Sequence, residues 1–219
     1  MKAVLEFLEA LSRNNNREWF NANKALYESS RKKVLFVTEV FINEIRKFDK
    51  DIPTMDPNDC VFRIYRDIRF SSDKSPYKTH FGSYIARGGL KSSRAGYYFH
   101  IQPGESFLGG GIYMPPPDVL KALRTAIYEK TDEYCGIIGD TGFKNFFPEI
   151  EGEKLKTAPK GFPPDFKHME LIKPKSYAFG TKIPDETLIS GKLVETGINA
   201  FRELYKINSF LNDALDQYL

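Results

Sequence analysis

The sequence predicts an α+β protein, a single domain over residues 1–219 in which an antiparallel β meander packs against a long N-terminal helix and C-terminal helices. Three observations carry that reading. Apolar residues recur at helical spacing up to Phe48, the period changes to two between residues 61 and 114, and helical spacing returns after Pro117. With 219 residues, 41% of them hydrophobic and 28% charged, the chain has material for a substantial core and the composition of neither a disordered nor a fibrous protein.

Val4, Leu5, Leu8 and Leu11 sit at helical spacing until Asn14-Asn15-Asn16 interrupts them, which predicts a short helix and a turn. Asn15 with Glu18 three residues on has the form of a capping box. From Trp19, the set Trp19, Leu26, Tyr27, Val34, Phe41, Ile42, Ile45 and Phe48 predicts one long amphipathic helix. Unbroken, it would run about 50 Å at 1.5 Å per residue, and Ser29-Ser30 is the expected kink. Pro53 and Pro57 place a loop after it.

Phe62, Ile64, Ile68 and Phe70 then alternate with Arg63, Tyr65, Asp67 and Arg69, so residues 61–70 read as a strand with Arg66 intruding on its apolar face. Asp73-Lys74-Ser75-Pro76 is a turn, Phe81 to Arg87 a second strand and Gly88-Gly89 another turn. Tyr97 to Ile101 and Phe107 to Met114 flank Gln102-Pro103-Gly104-Glu105 as the third and fourth strands. Alternation puts Tyr98 and His100 on one face of the third strand and Tyr97, Phe99 and Ile101 on the other. Gly109-Gly110-Gly111 reads as strand glycines that let another backbone approach closely.

Pro115-Pro116-Pro117-Asp118 starts a helix carrying Val119, Leu120, Leu123, Ile127 and Tyr128, with shorter helical pieces to about Phe147. Residues 148–184 hold six of the thirteen prolines, and within them Tyr177 to Ile183 reads as an edge strand, where Pro184 does least harm. Residues 185–217 return to helix on Leu193, Ile198, Phe201, Leu204, Tyr205, Ile207, Phe210, Leu211 and Leu215.

Several function classes are excluded or given no support. No stretch approaches the roughly 18 uninterrupted apolar residues of a membrane span, and Glu6 and Glu9 interrupt the N-terminal apolar run, so neither a membrane partner nor a secretory signal is expected. Cys60 and Cys135 form no Cys-x-x-Cys pair and suit a reducing cytoplasm. No metal and no cofactor is expected: there is no P-loop, no dinucleotide fingerprint and no clustered His or carboxylate spacing. His80 and His100 fall on successive strands, where they read as sheet residues or as a pair suited to acid–base work.

Charge is segregated. Residues 61–100 hold eight basic side chains against two acids, and residues 154–182 hold seven lysines against two acids. These 69 residues therefore carry +11 of a net +3, and the other 150 carry −8. The candidate ligand-binding set is Arg63, Arg66, Arg69, Lys74, Tyr77, Lys78 and His80, with Ser71, Ser72 and Ser75 offering further donors around the turn. Two readings follow. One is binding, or enzymatic processing, of an anionic small molecule or phosphate-bearing ligand. The other is a non-enzymatic protein–protein interaction module whose arginines form a structural salt-bridge network, with Asp67 answering Arg63 or Arg69 and Arg66 reaching an acid on a packed helix. Nucleic acid is a lesser partner: the meander aromatics read first as core and only second as a platform for bases. No catalytic residue and no oligomeric state can be read.

Asn16-Arg17-Glu18-Trp19-Phe20, Arg63-Ile64-Tyr65-Arg66-Asp67-Ile68-Arg69-Phe70-Ser71, Asp73-Lys74-Ser75-Pro76-Tyr77-Lys78 and Lys160-Gly161-Phe162-Pro163 together resemble the family of conserved microbial proteins termed domain of unknown function 2461. The resemblance spans nearly the whole chain. It implies a single cytosolic domain of this size and supplies no activity.

Overall fold

A computed structural model describes residues 1–219. The helices are α1 (Lys2–Arg13), α2 (Arg17–Ala22), α3 (Lys24–Phe48), α4 (Pro117–Glu129), α5 (Thr131–Gly139), α6 (Thr141–Phe146), α7 (Met169–Ile172), α8 (Asp185–Ile189) and α9 (Leu193–Tyr218). The strands are β1 (Phe81–Ile85), β2 (Gly96–Ile101), β3 (Phe107–Ile112), β4 (Ile150–Glu151) and β5 (Tyr177–Lys182), in an antiparallel sheet of order β1-β2-β3-β5-β4. The fold is α+β.

Four local expectations are corrected. The long N-terminal helix is two helices, and the break falls at Asn23, while Ser30 lies buried inside α3. Asn23 explains the break: its N–H reaches the carbonyls of Trp19 and Phe20 and its amide donates to Trp19 O at 2.9 Å, so it closes α2. Asn16, not Asn15, caps α2, accepting from Trp19 N at 2.9 Å.

Residues 61–70 alternate in exposure from Phe62 to Arg69, as a strand would, yet make only isolated bridges, Val61 to Ser83 and Tyr65 to Tyr77. Phe62 N pairs with Gly82 O while Lys78 N pairs with Ile64 O. Three residues on one side thus face Arg63 alone on the other, and the bulge breaks the ladder. Beyond Arg66 N, which donates to Pro76 O, Pro76 has no N–H to return. Finally, β5 is not an edge strand. The two-residue β4 covers it through Ile150 opposite Phe179 and Glu151 opposite Ala178, and Pro184 lies past its end.

Contacts divide the chain into two compact units. The first comprises Met1–Ile85, Tyr98–Leu108 and Lys182–Ile198. In it, α1 buries Val4, Phe7, Leu8 and Leu11, and α3 buries Val34, Phe41, Ile42 and Ile45. Alternation turns Phe81 and Ser83 of β1 and Phe99 of β2 toward these helices: Phe7 lies 6.3 Å from Phe81, Phe41 lies 5.3 Å from Phe99, and Thr38 Oγ1 donates to Val34 O at 2.9 Å and meets Ser83 Oγ at 3.3 Å. The opposite face carries Tyr98, His100 and Phe107.

The second unit comprises Ala86–Tyr97, Gly109–Thr181 and Asn199–Leu219. Here α9 lays Phe201 on Tyr97 and binds strand ends through two buried asparagines one turn apart. Asn208 donates to Gly96 O and accepts from Gly111 N, both at 3.0 Å, and Asn212 accepts from Ala95 N and donates to Ala95 O. Each amide is satisfied on both sides, which makes its burial tolerable. The expected close approach occurs at Gly111, where φ is +88° and a Cβ would meet Tyr177 O at 2.1 Å.

Candidate functional site

The basic stretch does not assemble as one surface. Its turn half is internally answered. Arg66 pairs through Nη1 with Asp73, donates to Ser75 O at 3.2 Å and reaches Ser71 Oγ at 3.4 Å. The acid that Arg66 meets is therefore in its own turn and not on a packed helix. Ser75 supplies its hydroxyl and its N–H to Asp73, and with Arg66 behind them they hold the Asp73 carboxyl down to about 2. The Ser75 N–H expected to serve an anion is thus occupied by Asp73 Oδ1 at 2.9 Å. Arg69 grips Asp67 with Nε at 2.9 Å and Nη2 at 2.6 Å, and Lys74 donates to Ile68 O at 3.1 Å. Arg69 and Lys74 consequently stand on a turn that spends its donors on itself, beside a Phe70 that is 96% exposed.

Tyr77 is built into the core. It is 4% exposed, and its ring stacks on Phe20 with centroids 3.9 Å apart and planes 13° apart. Asn15 clamps its backbone, accepting from Tyr77 N at 3.1 Å and donating to Tyr77 O at 2.9 Å. This clamp fixes α2 against the Pro76–Tyr77 segment.

Between them lies a cleft of about 360 Å3 lined by Arg17, Asn21, Tyr65, Arg66, Ile68, Pro76 and Tyr77. Arg17 and Asn21 are four residues apart on α2 and so share one wall. The rest of the lining is Tyr65, half-exposed and edge-on to Phe20, with Arg66, Ile68, Pro76 and Tyr77. Arg17 forms no ion pair or hydrogen bond within the chain, and its charge partly offsets the rise that burial and Tyr65 impose on the Tyr77 phenol.

Lys78 and His80 lie elsewhere, on the sheet face opposite α3. Lys78 sits over the Phe62 ring at 5.3 Å, and burial together with Arg63 lowers its basicity. The His80 and His100 rings are 4.3 Å apart, and His100 stacks on Phe107 at 4.8 Å. Gln102 Oε1 can only accept, so His100 Nε2–H donates to it at 3.0 Å and Nδ1 accepts from the Tyr98 hydroxyl at 3.0 Å. Tyr98 reaches there across Gly82, where a Cβ would meet its hydroxyl at 2.5 Å. Burial, then His100, then Lys78 press His80 down to about 4, and burial and Lys78 lower His100. Arg63 is exposed and forms no hydrogen bond or salt bridge, though its charge helps Arg69 lower the Asp67 carboxyl.

Of the seven expected residues, then, Arg66 and Tyr77 line the cleft, Lys78 and His80 form the sheet-face group with Arg63 beside them, and Arg69 and Lys74 belong to neither. Arg17, Asn21 and Tyr65 were missed as site residues. The signal that marks them is the i, i+4 spacing of Arg17 and Asn21 together with the exposed parity of Tyr65. A larger groove of about 420 Å3, lined by Phe36, Val37, Leu188 and Leu193 with Lys32 and Lys33, is apolar and involves none of these residues. No three His, Cys, Asp or Glu side chains come within reach of one metal ion, and no helix is long and apolar enough to cross a membrane.

The sequence matches the family described as conserved hypothetical protein, DUF2461, over residues 3–210. No curated protein and no solved structure matches the chain.

Proposed function

We propose that this chain, which belongs to the DUF2461 family, binds a small phosphate- or carboxylate-bearing ligand in the cleft between α2 and the Tyr65–Tyr77 segment. The observation that carries the reading is Arg17: a guanidinium with no partner in the chain that lines, together with the Arg66 guanidinium, a concave space of ligand size. A guanidinium presents a rigid fork of donors matched to a carboxylate or phosphate, and Arg66, already oriented by Asp73 and Ser75, loses little freedom on binding. Asn21 adds an amide, while Tyr65, Ile68 and Pro76 offer apolar surface to the rest of the ligand. Both cysteines are free, which supports a cytoplasmic setting for such a protein.

A thermal-shift screen across sugar phosphates, nucleotides and di- and tricarboxylates tests the proposal. The expected result is a stabilising compound whose affinity falls at least tenfold in Arg17→Ala and several-fold in Asn21→Ala. No stabilising compound, or one indifferent to both changes, overturns it.

The second reading, an interaction module with structural arginines, is favoured at Arg66 and Arg69 by their pairing with Asp73 and Asp67. It expects no small-molecule hit and a sedimentation coefficient that rises with protein concentration.

A further inference from the structure

Lys78, His80 and His100 stand together with no carboxylate near them. Every charged group that acts on them is basic: Arg63 on Lys78, Lys78 and His100 on His80, and Lys78 on His100. None of the chain's salt bridges includes Arg63, Lys78 or a histidine. Elsewhere the fold answers half-buried charge at short range, as Arg66 and Asp73 do. Here the Lys78 ammonium and the exposed Arg63 stand beside two half-buried histidines of lowered basicity, and no acid forms a salt bridge with any of the four.

The donors are also asymmetric. His100 is saturated, with Gln102 on one nitrogen and Tyr98 on the other. His80, tilted against it with ring planes 32° apart, has no hydrogen bond at either ring nitrogen. The available donors are therefore the Lys78 ammonium, the His80 ring and the Arg63 guanidinium, while His100 holds the His80 ring in place from behind.

We infer that Lys78 and His80, with Arg63, form a second site that binds a tetrahedral oxyanion, a phosphate or sulfate group, on the sheet face opposite α3. The site is separate from the Arg17 cleft and shares no side chain with it. Burial first, and then His100 and Lys78, keep His80 unprotonated; an anion there offsets that cost, so binding below the ordinary imidazole range draws a proton from solvent onto His80, which then donates a second charged hydrogen bond. No covalent bond is made or broken. One other titratable group stands beside the histidines, Tyr98 on β2, whose phenol burial pushes up to about 12, and it stays neutral throughout the relevant range.

Inorganic sulfate is the probe, because it does not itself titrate between pH 5 and 8. The protein carries Arg17→Ala so that the cleft does not answer, and binding is followed by calorimetry and by the backbone amides of Lys78 and His100. If the anion returns His80 from about 4 to the ordinary 6.5, affinity rises roughly 30-fold between pH 8 and pH 5. His80→Gln keeps a polar side chain and should bind with the same affinity at both pH values apart from the general change in protein charge. Lys78→Met should weaken binding at every pH. Sulfate that binds equally well at pH 8 and pH 5, a pH dependence that survives His80→Gln, or no binding at all overturns the proposal. The source of the group follows from two further arms run against sulfate, ribose 5-phosphate and oligothymidylate: tighter binding of the first marks a phosphorylated small molecule, and of the second a nucleic-acid backbone, and either requires the site to exist.

Discussion

Arg66 and Lys78 lie in the same basic run, yet the chain treats them in opposite ways. Arg66 is met by a carboxylate, a carbonyl and a hydroxyl from its own turn, whereas Lys78 is met by Arg63, His80 and His100. Segments 66–75 and 77–80 contribute alike to a charge count and differ in what answers the charge. Charge density thus locates a region but not a site. A cation is a candidate for an outside partner where the fold has withheld an inside one or where, as at Arg66, an answered guanidinium also lines a cleft, and that moves attention from Arg69 and Lys74 to Arg17, Lys78 and His80.

The comparison can be broken first at Tyr77. As a buried ring stacked on Phe20, its replacement by alanine should cost about 3–5 kcal/mol in urea unfolding, while Tyr77→Phe should cost about 0.5 kcal/mol or less. A Tyr77→Ala chain of wild-type stability would return Tyr77 to the ligand set and undo its assignment to the core.

Next in size is a pH effect that separates the two segments. His80 binds its proton less readily folded than unfolded, so as pH falls the unfolded chain protonates first. Its contribution is complete above about 6.5 and is lost progressively down to about 4. The turn behaves otherwise: Asp73 is depressed, so its contribution is complete above the ordinary carboxylate range and is lost as pH falls toward about 2. Urea titrations from pH 7 to 3 should therefore show a slope between 6.5 and 4 that His80→Gln flattens, and a slope below 4 that Asp73→Asn flattens. Exchange of the two windows between these variants would contradict the assignment.

Smaller still, Arg66→Ala should lower the urea midpoint modestly, and adding Asp73→Asn should cost less than the sum of the single changes, because both remove one interaction. Smallest is Arg69→Ala. Its pair with Asp67 is exposed on both sides, and no measurable change in midpoint is expected.

Much of the architecture was legible in the sequence because hydrophobic period is a local property. The change of period located β1, β2 and β3 to within two residues, the helix expected over residues 185–217 is divided into α8 and α9, and alternation sorted Tyr98 and His100 from Phe99 correctly. What escaped depended on partners distant in sequence. The bulge opposite Arg63 is invisible until Phe62 is known to pair with Gly82, and β5 looked like an edge strand because the two-residue β4 is too short to show a period. The break at Asn23 was hidden by apolar spacing that continues across it. At the candidate site, the proximity of His80 and His100 was readable from successive strands. The cleft was not, because Arg17 comes from a six-residue helix whose placement rests on Asn15 reaching Tyr77 across 62 positions of sequence.

The proposed cleft requires that Arg17 and Arg66 share a ligand while Arg69 does not. The most direct test follows the side-chain Nε–H resonances of all three arginines as the strongest ligand from the thermal-shift screen is titrated in. Arg17 and Arg66 should shift together along one saturable curve, with Arg69 unmoved. A ligand that moves Arg69 equally, or leaves Arg17 in place, would contradict the account.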